Sequence, residues 1–138
     1  MKKSKQKPLP FEFEFRLLLT HRYSPRYKAT VVYLALRTIE EFGNFLYDIV
    51  VEDIIEEKRL ILNIQGLRPP RQTLPAFGPA VFTKEYPDLK EIEQVIVKKP
   101  DGAENSFHVK ITDNRVSVKD TGRGSFVHAV NNEEEWKS

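Results

Sequence analysis

The 138-residue chain contains no cysteine, one tryptophan, one methionine and six glycines. Without cysteine it can have no disulfide framework, no thiolate ligand for zinc and no thiol nucleophile. Long apolar runs are missing as well. The longest, Val31–Leu36, falls far short of the ~20 residues a membrane-spanning helix needs. The lysine-rich start, Met1 to Lys7, leads into Phe11–Phe15, where phenylalanine alternates with glutamate. That is not the apolar core of a secretory signal, so the expected location is the cytoplasm. Familiar catalytic signatures are also lacking: there is no Gly-x-Ser-x-Gly elbow, no Walker loop and no His-Glu-x-x-His pair.

Hydrophobic residues make up 40% of the chain and aromatics 11%. This is enough apolar mass for one packed domain and argues against global disorder. The net charge of +2 hides an uneven distribution. Residues 1–28 carry eight cations against two anions, residues 29–67 carry three against seven, and residues 68–138 are balanced. A basic N-terminal arm on a nearly neutral domain suits either a solvated leader or contact with a polyanion.

Strand periodicity dominates the text. After a leader closed by Pro8 and Pro10, Phe11, Phe13, Phe15, Leu17 and Leu19 fall on one face with charge opposite, the pattern of a half-buried strand. Tyr27–Phe42 reads two ways. Ser24 as N-cap, Pro25 at the first helical position and Gly43 past the end would punctuate a helix, whereas Thr30–Leu34 has the β-branched and aromatic content of a buried strand. Alternation resumes around Tyr47–Ile55 and returns at Leu60, Leu62 and Ile64 after the polar turn Glu56–Arg59. A proline-rich loop, Arg68–Ala80, is expected to stay outside any central strand, because proline lacks the N–H a ladder needs. Further strands follow near Val81–Tyr86, Ile92–Lys99, Ser106–Thr112 and Val116–Val118, with Pro100-Asp101-Gly102 as a strong turn signal.

The fold class expected from this rhythm is all-β, an antiparallel β-sandwich of immunoglobulin-like kind. The alternative is an α+β domain with one helix over residues 25–42 packed on an antiparallel sheet. The domain would cover residues 11–119, with a flexible basic leader at 1–10 and a flexible tail at 120–138 that carries Trp136.

Chemistry-bearing patterns are few. Asp120-Thr121-Gly122-Arg123-Gly124 resembles the Asp-x-Gly-x-Gly adenine box of GHKL-type ATPases, and Glu40 with Asn44 is similar to that family's Glu-x-x-x-Asn marker. The resemblance implies a nucleotide site with Asp120 at the adenine and Asn44 on a magnesium ion. That family needs further nucleotide-binding segments after the box, and the fourteen residues after Gly124 leave no room for them. No nucleotide cofactor is therefore expected. Asp120-Thr121-Gly122 also matches the aspartic-protease triplet, but Lys119 and Arg123 beside it would keep Asp120 an ordinary ionised group. His21, His108 and His128 lack metal-ligand spacing and read as surface residues.

No catalytic, cofactor or metal site is expected, and the chain reads as a non-catalytic binding module whose partner is another protein. Candidate contact residues are Arg68, Arg71 and Phe77, which the proline-rich loop would present at low entropic cost. The alternative is an accessory domain for nucleic acid or another polyanion, using the basic arm with Arg22, Arg26 and Lys28.

Overall fold

Leu17 and Leu19 point into the core from the first strand, β1 (Phe15–Ser24), and are almost fully buried, as the alternation predicts. The computed structural model describes residues 14–43, 46–69, 75–121 and 126–137. After β1 come β2 (Ala29–Phe42), β3 (Asp48–Glu56), β4 (Arg59–Arg68), β5 (Gly78–Tyr86), β6 (Gln94–Lys98), β7 (Glu104–Ile111), β8 (Val116–Asp120) and β9 (Val127–Val130). A short helix, α1 (Glu133–Lys137), follows. The strands form one sheet in the order β8-β7-β6-β4-β3-β5-β2-β1-β9, which curls until its edges nearly meet. Leu17, Leu34, Leu60, Leu62, Val97 and Phe107 lie at the centre of the apolar interior.

The all-β expectation holds, with two corrections. There is a single, nearly closed sheet where two facing sheets were expected, and β1/β9, β3/β5 and β4/β6 pair in parallel. Periodicity shows that a segment is a strand but is silent on its partner, which is why both features escaped it. The second correction concerns residues 25–42, where the helix of the α+β alternative is replaced by β2. Val32, Leu34 and Leu36 line the interior at period two, while Ala35 is buried on the opposite face against Leu18 and Val130. A strand covered on both faces reads as a nearly continuous apolar run, which a helical wheel fits equally well. Pairing with β1 over ten consecutive residues decides between them.

Turns follow local chemistry. The β1–β2 turn is held by Ser24, whose carbonyl accepts the Lys28 N–H at 2.7 Å and whose hydroxyl accepts the Tyr27 N–H. The β3–β4 hairpin is closed by Glu57 and Lys58, both at positive φ (53° and 65°). This backbone is normally given to Asn-Gly and costs an L-residue of another type about 1 kcal/mol or more. The expected Pro100-Asp101-Gly102 turn is present, with Gly102 at φ 94° and the Asp101 carboxylate accepting the Ala103 N–H.

The proline-rich stretch contributes to a central strand after all. Pro79 lies in β5, between β3 and β2. Alternate residues face the same neighbour, so its missing N–H turns toward β3, which pairs with β5 only at Val81. No ladder bond is lost there. On the β2 side the register shifts between Arg37 and Glu41. Thr38, buried in this bulge, accepts the Ala80 N–H at 2.9 Å and donates to the Glu40 carbonyl.

Residues 120–138, expected as a tail, hold β9 and α1. Asn105 on β7 is fully buried, and its side-chain oxygen accepts the N–H groups of both Phe126 and Val127 at 2.9 Å. Asn131 donates across to the Val116 carbonyl of β8. Asn132 then caps α1 reciprocally: its oxygen accepts the Glu135 N–H while its amide donates to the Glu135 carboxylate. Trp136 folds back with Tyr33 onto Leu18, Ala35 and Val130.

Candidate interaction surfaces

Strand direction sorts the connections to two ends of the sheet. The β1–β2, β3–β4 and β7–β8 turns lie at one end, called here the hairpin end. The β2–β3 and β4–β5 connections and the start of β1 lie at the other. That second end carries four of the large apolar side chains that face solvent: Ile39, Leu46, Leu67 and Phe77, between 43% and 70% exposed. Ile39 belongs to the bulged end of β2. Leu46 leans over Gly78 (φ 158°), where an added Cβ would meet Leu46 Cδ2 at 2.9 Å. Phe77 enters β5 just before that glycine. Phe42 and Tyr47 meet edge to face beneath them at 5.3 Å and stiffen the base.

Of the expected contact residues at this end, Phe77 is the most exposed apolar side chain among the described residues. Arg68 ends β4 and pairs with Asp48 at 3.7 Å, with both side chains well exposed. Arg71 lies outside the described residues. A groove of about 330 Å³ runs between β3 and β5 beside Arg68, Ile49 and Phe82.

Arg22, Arg26 and Lys28 part company. Arg22 faces outward from β1, stacks 3.7 Å over the Tyr33 ring and bonds the Glu133 carboxylate at 3.0 Å. Its partners hold the guanidinium charged, against the opposing effect of burial, so this residue fastens α1 to the sheet. Arg26 and Lys28 sit on the exposed β1–β2 turn with Tyr27, beside Tyr23 at the end of β1. The Arg26 guanidinium lies 5.6 Å from the Tyr27 ring centre. Lys2, Lys3, Lys5 and Lys7 of the basic arm are outside the described residues.

Among the described residues, two polar groups that could suggest chemistry are Asp53 and His21. Asp53 on β3 accepts hydrogen bonds from Lys84 Nζ and Tyr86 Oη of β5, both at 2.7 Å and both to the same oxygen. Burial pushes the Asp53 carboxyl up, but the two hydrogen bonds and the lysine charge outweigh it and hold the group below the usual carboxylate range. Burial, reinforced by Asp53, pushes the Tyr86 hydroxyl well above the ordinary tyrosine range. His21, expected at the surface, is half-buried. Its Nε2 lies 2.7 Å from the Thr112 carbonyl, which makes Nε2 the donor, and its buried Nδ1 has no partner among the described residues. A cavity of about 280 Å³ adjoins it, rimmed by the Lys90–Asp113 ion pair.

Asp120 and Thr121 close β8, and Thr121 binds the Ser106 carbonyl through both its N–H and its hydroxyl. The rest of the glycine-containing box and Asn44 fall outside the described residues. No group of three or more His, Asp or Glu that could hold a metal ion occurs among the described residues, and no helix among them is long and apolar enough to cross a membrane. Sequence reasoning missed that Ile39, Leu46 and Leu67 share one end of the sheet with Phe77, because that placement depends on the order and direction of β2, β3, β4 and β5. The chain has no match among family models, curated proteins or solved structures.

Proposed function

We propose that the chain is a non-catalytic interaction module of the cytoplasm that binds another protein through the end of the sheet carrying Ile39, Leu46, Leu67 and Phe77. The observation that carries this reading is their shared exposure at one end of a sheet whose interior is already packed. Exposed apolar residues scattered singly need no explanation, whereas a group of them on connections between rigid strands favours docking. Phe77 is the natural anchor, since an aromatic brings large area with few rotatable bonds. Arg68 and Asp48 at the rim would contribute orientation more than affinity.

The test compares the full chain with a Phe77→Ser, Leu46→Ser double variant as baits in quantitative cross-linking from native extract. A specific protein partner should lose about 30-fold or more in affinity for the variant, the equivalent of one buried aromatic side chain, ~2 kcal/mol. A circular dichroism spectrum and melting temperature close to wild type exclude unfolding as the cause. If every cross-linked protein is retained equally by both baits, the reading fails.

A second reading is favoured by the cationic and aromatic side chains on the β1–β2 turn. Tyr23, Arg26, Tyr27 and Lys28 together have the chemistry of a single-strand nucleic-acid contact, with stacking platforms beside positive charge. Binding of an oligonucleotide that weakens steeply with salt, and loses slope on Arg26→Gln, Lys28→Gln substitution, would favour it over protein docking.

A further inference from the structure

β3 and β5 are neighbours in the sheet, yet they pair only at Asp48 and Val81. The Val81 N–H donates to the Tyr47 carbonyl at 3.2 Å, and the ladder goes no further toward the hairpin end. Backbone groups alternate along a strand, so Thr83 and Glu85 turn the same way as Val81, toward β3. On β3 the two-residue turn at Glu57-Lys58 sets Glu56 against Arg59 of β4, which leaves Val51 and Ile55 turned toward β5. These four residues aim N–H and C=O groups into a gap in the middle of the sheet, and no ladder joins them. A groove of about 330 Å³ opens at its closed end, walled by Ile49 on one side and Val81, Phe82 and Thr83 on the other. Extending the register from Asp48 and Val81 puts Tyr86 opposite Asp53. The two meet through the far end of the phenol ring, which suits strands that have parted. Lys84 and Tyr86 thus reach Asp53 with side chains on the interior side and leave the backbone edges open.

We propose that this gap is a strand-addition site, taken by an extended segment of a partner protein that alternates basic and apolar residues. β3 and β5 run parallel to each other, so one inserted strand can lie antiparallel to both and bond to both edges. A peptide backbone carries donors and acceptors at the spacing of the two open edges, and this decides the class of ligand. Charge and packing narrow it further. On the outer face the gap is flanked by Glu52, exposed and with no ion-pair partner among the described residues, and by Glu85, which accepts the Ser24 hydroxyl. On the inner side lie Val51 and Phe82, both packed against the core. Basic side chains of the segment therefore face outward and apolar ones inward. The inference goes beyond docking at the apolar end. Its backbone bonds use none of Ile39, Leu46, Leu67 and Phe77, so either reading can fail without the other.

The full chain is titrated with a capped hexapeptide of alternating lysine and valine and followed by amide NMR and hydrogen exchange. Saturable binding is expected, with exchange at the Val51, Thr83 and Glu85 amides slowed about tenfold or more. The same peptide methylated on two successive backbone nitrogens, which face opposite edges, should bind about tenfold more weakly through loss of its donors. A glutamate–valine peptide should bind more weakly than the lysine–valine one, and Glu52→Lys should narrow that difference by about threefold. Thr83→Pro removes a donor that makes no bond to β2, and Pro79 already occupies a position facing the same way. Its melting temperature should stay close to wild type while peptide affinity falls about tenfold. Should that variant unfold, the methylated peptide on the wild-type chain decides alone. The proposal is overturned by absence of saturable binding, by equal affinity for the methylated peptide, or by protection confined to residues outside β3 and β5. A glutamate–valine peptide that binds as tightly overturns the basic character assigned to the segment.

Discussion

The sheet runs short of backbone pairing in two places, and the two are mended differently. Between β8 and β9 the mending is done by amides. Asn105 takes two backbone N–H groups in a fully buried position, and Asn131 reaches the Val116 carbonyl. Between β3 and β5, where only Asp48 and Val81 are paired, the mending is done by charge. Asp53 gathers Lys84 and Tyr86 onto one carboxylate oxygen at a half-exposed site. Neutral amides can be buried completely because every atom finds a partner without a charge to desolvate. A carboxylate near the surface keeps part of its hydration and depends on its ionisation. One closure is therefore insensitive to pH and the other is not.

The largest expected effect comes from breaking the buried closure. Asn105→Leu leaves the N–H groups of Phe126 and Val127 without their acceptor in the core, at about 1–3 kcal/mol each. A loss of roughly 3 kcal/mol or more is expected in urea denaturation, with Trp136 fluorescence changing early because β9 leads directly into α1. A loss below ~1 kcal/mol would mean that Asn105 does not hold the β9 segment in place.

Next comes the charged closure. Asp53→Asn removes the ionic character of both bonds and should cost about 1–2 kcal/mol at pH 7, with the lysine share reduced by solvent screening. Its signature is pH dependence. The folded-state pKa of Asp53 is depressed, so its contribution is present above the unfolded carboxylate value of about 3.9 and fades as pH falls through the lower folded value. The stability gap between wild type and Asp53→Asn should therefore close under acid, while the gap for Asn105→Leu stays constant. Parallel gaps would erase the contrast between the two closures.

Tyr86 gives the alkaline counterpart. Burial raises its hydroxyl pKa in the fold, so its contribution is intact below the unfolded value of about 10 and declines above it. Tyr86→Phe should cost about 1 kcal/mol at pH 7 by loss of one hydrogen bond. Stability measured from pH 9 to 11 should fall less steeply for that variant than for wild type.

The smallest effect is a gain that touches neither closure. Lys58→Gly relieves the positive φ of the β3–β4 turn and should stabilise by about 1 kcal/mol. Its ion pair with Glu93 is long and exposed and offsets little of this. Its stability-against-pH curve should run parallel to that of wild type, which makes it a reference for the other three variants.

How legible the protein was in its sequence follows from the range of each interaction. The alternation of Leu17 and Leu19, the polar β3–β4 turn and the Pro100-Asp101-Gly102 turn are set by residues a few positions apart, and all appear where expected. The C-terminal layer was half legible. Asn132 and Glu135 have capping-box spacing and Phe126–Val130 is apolar enough for a strand, but both were overshadowed by the glycine and glutamate around them. Nothing local marks Asn105 as the residue that holds the β9 segment, 21 and 22 positions away. Of the exposed end the sequence announced Phe77 and Arg68, whereas Ile39, Leu46 and Leu67 look like ordinary apolar residues until their neighbours are known.

By itself the sequence determined a β-rich chain, most of its strands and the residues that face inward, because period-two alternation and turn chemistry act within a few residues. Tertiary structure alone decided that β2 is a strand, that three pairings are parallel, that the sheet nearly closes, and which charges and apolar side chains share a surface. Those outcomes depend on which distant strand supplies the partner for each backbone edge, and the cost of leaving such an edge unpaired is written nowhere in a local pattern.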